Sequence, residues 1–258
     1  MKFTSLYSGS KGNCYLIQSQ ESNVLVDCGL SLAMIKDRLA QMHLSFKCIS
    51  AVFVTHEHTD HVSALPQLEL FEKVPVFVHE KGARAVQEKT LCKNISTFDK
   101  TFQFRDLTVD TICCSHDAAY CCGYRFSDGT SAVGIVADTG CAPQEIVEFL
   151  APCTTILLES NHDVDMLMGG PYPYKLKKRI LSTLGHLSNK QAGEIVQQVM
   201  QTSHNVKNIV LGHISQNNNM PELAFYNVVT ILENIGLHEG KDVKVAVALQ
   251  DKRSATFE

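Results

Sequence analysis

Apolar and polar positions along the chain follow two periods, and the switches between them mark its elements. Asn13–Ser19 and Asn23–Asp27 are strand-like runs on either side of Gln20–Ser22, which predicts a hairpin. Leu32, Ile35, Leu39 and Met42 recur at helical spacing, so Leu32–Met42 reads as a helix. Ile49–Thr55 is short, mostly apolar and β-branched, as a buried strand should be. Val62–Phe71 has a helical pattern with Pro66 in its first turns. Val74–Val78 predicts a strand and Lys81–Glu88 a helix. In the middle, Phe98–Phe104, Leu107–Cys114, Cys122–Ser127 and Ala132–Ala137 predict antiparallel strands, the last two joined at Asp128–Gly129. Pro143–Leu150 is a helix opened by proline, and Thr155–Glu159 is a strand. Val164–Tyr174, containing GGPYP, predicts a loop or broken helix, and Lys175–Leu181 a short basic helix. Ser188 and Gln191 form a capping box ahead of a helix over Asn189–Thr202. Asn208–Leu211, Glu222–Ile235 and Val243–Leu249 then predict strand, helix and strand. These strands exceed the needs of one open sheet; two packed sheets with helices outside would use them all. With no tandem repeat or long linker, residues 1–258 are expected to form one domain.

Composition narrows the setting. No apolar stretch reaches transmembrane length, and the N-terminus lacks a basic-then-apolar leader, so a cytoplasmic protein without a membrane role is expected. Cys28, Cys48, Cys113, Cys114, Cys121 and Cys122 lie in or beside apolar runs, and no CxxC pair occurs. They read as buried thiols of a reducing compartment. A net charge of -4 disfavours a nonspecific nucleic-acid coat, so any contact with nucleic acid must use a local patch.

The chemistry concentrates at AVFVTHEHTDHVS, where an apolar strand stops and His56, His58, Asp60 and His61 follow within six residues. His56 and His58 can face one side of a strand-end loop, and Asp60 and His61 the other, which points to two neighbouring metal sites. The spacing differs from HExxH, where one helix presents both histidines. His116, Asp138 and His213 each end a predicted strand, where functional groups commonly gather. The expected division is His56, His58 and His116 on one ion, Asp60, His61 and His213 on the other, and Asp138 bridging both. Such N/O ligands suit zinc or manganese, with iron a further candidate.

HEHTDH matches the HxHxDH signature of the metallo-β-lactamase superfamily, and SHDAAYCCGY, ADTG and LGHIS resemble its later motifs in order. The resemblance implies an α/β fold, a four-layer αββα sandwich with a dinuclear centre at one edge of the paired sheets. SGSKGN, LVDCGLS, GPYPYKLKKRI and GHLSNKQAG resemble, more narrowly, the YycJ/WalJ-type bacterial exonucleases. That resemblance implies hydrolysis of DNA, single- or double-stranded, from 5′ ends by a hydroxide held between two divalent ions. The chain lacks the long cap insertion of the larger nucleases of the superfamily and the extended arm of the tRNA-processing type.

Several residues outside the metal set acquire candidate roles. By the same resemblance His186 lies beside the scissile phosphate, and an imidazole with an unperturbed pKa near ~6.5 suits proton delivery. Asp60, besides being a ligand, is a candidate to orient the attacking hydroxide. His162 is a candidate catalytic or ligand-orienting residue, with a purely structural role equally open. Asp27 is expected to support the metal loop from behind, or to form a turn. SGSKGN either offers backbone N–H groups to an anion or is a structural turn. Lys175, Lys177, Lys178 and Arg179 stand just before His186 and are expected to touch phosphates. Tyr172 and Tyr174 could stack on terminal bases or pack their own loop. Asn189, in GHLSN, completes the substrate-binding candidates. The alternative function is hydrolysis of a small cyclic phosphodiester. A diiron redox protein would need a flavin domain or electron carrier for which the chain has no motif, and protein partners are not legible.

Overall fold

A computed structural model describes residues Met1–Glu258. The N-terminal half forms a six-stranded sheet in the order β1 (Lys2–Tyr7), β2 (Cys14–Gln18), β3 (Asn23–Val26), β4 (Ala51–Val54), β5 (Val76–His79) and β6 (Ile95–Phe98). Four helices belong to it: α1 (Leu32–Ala40), α2 (Thr59–Val62), α3 (Leu65–Phe71) and α4 (Glu80–Thr90). The C-terminal half forms a seven-stranded sheet of β7 (Thr101–Phe104), β8 (Leu107–Cys114), β9 (Cys121–Ser127), β10 (Ala132–Val136), β11 (Thr155–Glu159), β12 (Asn208–Gly212) and β13 (Lys244–Val247), adjacent in sequence order. Its helices are α5 (Gln144–Leu150), α6 (Val164–Gly169), α7 (Tyr174–Ile180), α8 (Asn189–Thr202) and α9 (Pro221–Asn234).

Strand periodicity explains the layers. In β4, Ala51 and Phe53 face the other sheet, while Val52 and Val54 pack under the helices of their own. In β12, Val210 faces inward, and Ile209 and Leu211 pack under α8 and α9. Both faces of these strands are covered, which is why they read as unbroken apolar runs. Phe53 is fully buried and touches Phe77 at 5.1 Å and Phe126 at 5.2 Å between ring centroids. Burying such a ring stabilises a fold by about 1.5–3 kcal/mol. Helices, sheet, sheet and helices make the expected αββα sandwich.

Two elements differ from expectation, a third takes the broken-helix form of its two expected forms, and a fourth carried no expectation. Phe98–Phe104 is two strands in different sheets, because Asp99–Lys100 turns the chain between them; the Lys100 carbonyl accepts from the Thr111 amide at 2.9 Å. Val62–Phe71 is interrupted at Ser63–Ala64, since Pro66, early in α3, has no amide to continue the ladder from α2. Val164–Gly169 is a helix, capped by the Asp163 carboxylate accepting from the Met166 amide at 2.9 Å. Lys2–Tyr7, which lacks an alternating pattern because five of its six residues are buried, is a strand covered by the C-terminus through Phe3 and Phe257. None of the ten cysteines is in a disulfide. No helix is long and apolar enough to cross a membrane.

Candidate metal centre

Strand ends from both sheets converge on one edge. β4 ends at Val54 and leads into Thr55–His61. β8 delivers His116, β10 Asp138, β11 Glu159 and β12 His213. All seven ligand candidates come together there. Four sets of side chains have donor atoms within 4.8 Å of one another: His56–His58–His116, Asp60–His61–His213, His56–His61–Asp138 and Asp138–Glu159–His186–His213. The first two sets coincide with the expected halves, and the third joins them through Asp138.

The distances suit metal coordination. His58 Nδ1 and His116 Nε2 are 3.3 Å apart, His61 Nε2 and Asp60 Oδ2 3.4 Å, and His213 Nε2 and Asp60 Oδ2 3.6 Å. A tetrahedron with metal–ligand bonds of about 2.0–2.2 Å has edges of roughly 3.3–3.6 Å. Asp138 Oδ2 lies 2.8 Å from His61 Nε2 and 4.0 Å from His56 Nε2, between one member of each half. His56 Nε2, His213 Nε2 and both Asp138 oxygens are buried without an aligned hydrogen-bond partner. Four such atoms aimed at one another are costly in a dry interior unless a cation joins them. The donor set therefore fits divalent ions.

Electrostatics agree. Burial would raise the Asp138 carboxyl, but the His213 and His61 imidazoles hold it well below the usual carboxylate range. Burial likewise opposes charge on His61 and His213, yet the surrounding carboxylates raise both well above the ordinary imidazole range. His56, where burial dominates and His61 adds to it, is held well below that range. The cluster as a whole favours positive charge at its centre.

The ligands are oriented from behind. Asp27 Oδ2 sits 2.7 Å from His61 Nδ1 and also accepts from Thr55 Oγ1, while Oδ1 accepts from the Thr55 amide at 2.8 Å. The Gly185 carbonyl lies 3.0 Å from His116 Nδ1. Both contacts fix the ring so that Nε2 points into the site. Asp27 (φ 61°) and His213 (φ 53°) occupy the left-handed region, which costs non-glycine residues of order 1–3 kcal/mol. Each is held there by its amide: Asp27 donates to the Phe53 carbonyl at 2.8 Å, His213 to Ser8 Oγ at 2.8 Å. SGSKGN braces the site, with the Asn13 amide donating to the Asp60 carbonyl at 2.8 Å. Gly29 is required beside it: a Cβ there would stand 1.5 Å from the Asp60 carbonyl oxygen.

His186 and Glu159 flank the ions' position. His186 Nδ1 lies 2.9 Å from Glu159 Oε2 and 3.3 Å from Asp138 Oδ1. Burial lowers His186, but Glu159 and Asp138 outweigh it and raise its pKa to about 9. Glu159 also accepts from the Leu187 amide at 2.8 Å. Sequence reasoning missed this residue. The available signal was an acid ending a strand whose other residues, TILL, admit no solvent-facing side.

The remaining candidates scatter. His162 is buried beside His186 and Glu159 but belongs to none of the four donor sets; its ring nitrogens have no partner, and burial lowers its pKa to about 4. Asn189 is buried in a reciprocal amide pair with Asn219, at 2.8 and 2.9 Å. Lys177 Nζ donates to the carbonyls of Met168 and Gly170, each at 2.7 Å. Arg179 makes a two-pronged pair with Asp117, one contact at 2.8 Å. Lys178 lies over the Tyr174 ring at 5.0 Å, and the Tyr172 hydroxyl accepts from Asn217 at 2.8 Å. Lys175 and Tyr174 are exposed.

Comparison with known proteins places this geometry. The sequence model of the Beta-lactamase superfamily domain matches residues 22–214. The chain belongs to that superfamily. Within it, the chain is 33% identical to Exodeoxyribonuclease WalJ of Streptococcus pneumoniae, over 95% of its own length and 93% of that protein. It is 34% identical to Exodeoxyribonuclease YycJ of Bacillus anthracis, over 95% and 94% respectively. The fold superposes on the metallo-beta-lactamase fold protein YhfI of Bacillus subtilis with a TM-score of 0.75 at 17% identity, covering 100% of this chain and 99% of that one.

Proposed function

We propose that this superfamily member is a metal-dependent exodeoxyribonuclease, acting through one domain spanning residues 1–258. The observation that carries the proposal is the pair of donor triads joined by Asp138 in a chain one-third identical, end to end, to two exodeoxyribonucleases. His56, His58 and His116 would hold one divalent ion, and Asp60, His61 and His213 the other. Asp138 would serve both. Zinc or manganese suits these ligands, with iron a third choice. When bound, the ions supply an activated water and neutralise charge on the phosphate.

The chain's own groups do the rest. Asp60, whose side chain is 25% exposed, is the carboxylate best placed to accept a hydrogen bond from the attacking water. His186, whose Nδ1 is held by Glu159, would present Nε2 to the leaving oxygen and deliver a proton there. Glu159 also meets the objection that a nearby helix start disfavours an imidazolium, because it puts a full negative charge against Nδ1. His162 backs this pair. Lys175, Lys178 and Arg179 face the DNA backbone, with Tyr172 and Tyr174 beside them, whereas Lys177 and Asn189 hold the loops that present them. DNA entering from its 5′ end is the polarity proposed.

The test is hydrolysis of end-labelled single- and double-stranded DNA by metal-loaded protein, with a cyclic phosphodiester as comparison. Progressive release of mononucleotides that stops on chelation is expected. Intact DNA alongside a hydrolysed cyclic phosphodiester would overturn the assignment.

A further inference from the structure

Beside the metal centre lies an open hollow of about 480 Å³ that none of the roles above uses. Eight of its eleven lining residues are hydrophobic, among them Ala118, Tyr120, Cys121 and Leu184, so it is unsuited to phosphate. Its volume falls in the range of small-molecule sites, about 300–1,000 Å³. His116 lines the hollow and also belongs to the donor set with His56 and His58. A group resting there would be separated from that donor set by the His116 side chain. Leu184 is 51% exposed, a large apolar side chain left facing solvent.

The hollow is preformed. Ser115 Oγ donates to the Thr183 carbonyl at 2.8 Å, the Asp117 amide to the Leu184 carbonyl at 3.1 Å, and His116 Nδ1 meets the Gly185 carbonyl at 3.0 Å. These three contacts stitch the loop carrying Leu184 to the strand end carrying His116. Gly185 is needed where this loop folds back on the end of α7, since a Cβ there would stand 2.1 Å from the Ile180 carbonyl oxygen. Asp117, next in the chain to His116 and outside the hollow's lining, carries Arg179. Apolar hollow, ion ligand and guanidinium are thus gathered around His116 and Asp117, the chemistry that a base and its flanking phosphates call for.

We propose that this hollow is the subsite for the nucleobase adjoining the scissile phosphodiester, with Leu184 as its outer wall. The proposal rests on the nuclease reading above. Ser115 Oγ and His116 Nδ1 are already committed to carbonyls, and the other walls are aliphatic, aromatic or thiol with the Tyr120 hydroxyl among them, so the subsite holds a base mainly by its faces. Such contacts are sequence-tolerant. All four bases should therefore be accepted comparably, and a missing base should not.

Strands carrying one tetrahydrofuran abasic residue, moved stepwise through the terminal positions, test this. At one position the abasic residue should lower kcat/KM about tenfold or more, the scale of one base contact. In Leu184→Ala and Leu184→Asn that penalty should shrink sharply as cleavage of the intact strand slows toward the abasic rate, while the ion content stays as in the unaltered protein. If DNA is cleaved but the abasic scan is flat, or if the penalty survives both substitutions, the subsite assignment falls. If metal-loaded protein hydrolyses a nitrophenyl phosphodiester but no DNA strand, the nuclease reading falls, and the base subsite with it.

Discussion

The loop Thr55–His61 and the segment Tyr172–Leu181 are the two densest patches of one chemistry in the chain, histidine in the first and cation in the second. The structure treats them oppositely. Around the histidine loop the rings are fixed from behind, as His61 is by Asp27, and the atoms left without an aligned partner, His56 Nε2 and the Asp138 oxygens, cluster together. In the basic segment the cations divide: Lys177 holds carbonyls, Arg179 holds Asp117, and Lys175 and Lys178 remain exposed. A buried cluster of ligands has one low-energy use, so its residue types nearly specify its role. A surface cation has several, and composition alone does not choose among them.

Predictions that break or sharpen this contrast can be ordered by size. His186→Ala should lower DNA cleavage by about 10²–10⁴-fold while both ions remain. The loss should be smaller on a nitrophenyl phosphodiester, whose leaving group needs little protonation. Equal losses on the two substrates would give His186 a positioning role. His162 should report on acid stability. Its pKa is depressed to about 4, so its contribution is complete above the unfolded value near ~6.5 and is lost as pH falls toward the folded value. The shift corresponds to a contribution of order 3 kcal/mol. His162→Gln should flatten the stability–pH curve between pH about 6.5 and 4, measured by denaturant titration; an unchanged slope would remove the buried neutral imidazole from the account.

Asp27→Asn keeps size but loses the negative charge behind His61, and should weaken metal affinity by about 10–100-fold. A competition titration with a chelator measures it, and unaltered affinity would make Asp27 only a turn residue. The smallest effect belongs to the basic segment. Replacing Lys175 and Lys178 with alanine should leave ion content intact and reduce the salt slope of DNA binding by about 1.4–1.8, the value for two phosphate contacts. A slope as steep as before would leave both lysines as solvated surface.

Which residues were legible follows from the same contrast. His116, Asp138 and His213 could be found because the strands before them are short, apolar and sharply ended, so a polar residue at the boundary stands out. Glu159 ends an equally apolar strand, but glutamate is so common on surfaces that this signal is weak, and its contact with His186 is made only by the fold. Asn189 looked like a substrate contact because it adjoins His186; its amide pair with Asn219 joins residues thirty apart, which no local pattern reveals. In Phe98–Phe104 the aromatic spacing ran through a turn, because both new strands bury phenylalanines in the same layer between the sheets.

The proposed two-ion centre depends on Asp138, and metal stoichiometry measures that dependence. Metal analysis combined with anomalous diffraction on fully loaded protein should find two ions per chain, one against His56, His58 and His116, the other against Asp60, His61 and His213. In Asp138→Ala occupancy should fall at both positions together. A single ion in the unaltered protein, or two undisturbed ions in Asp138→Ala, would contradict the account.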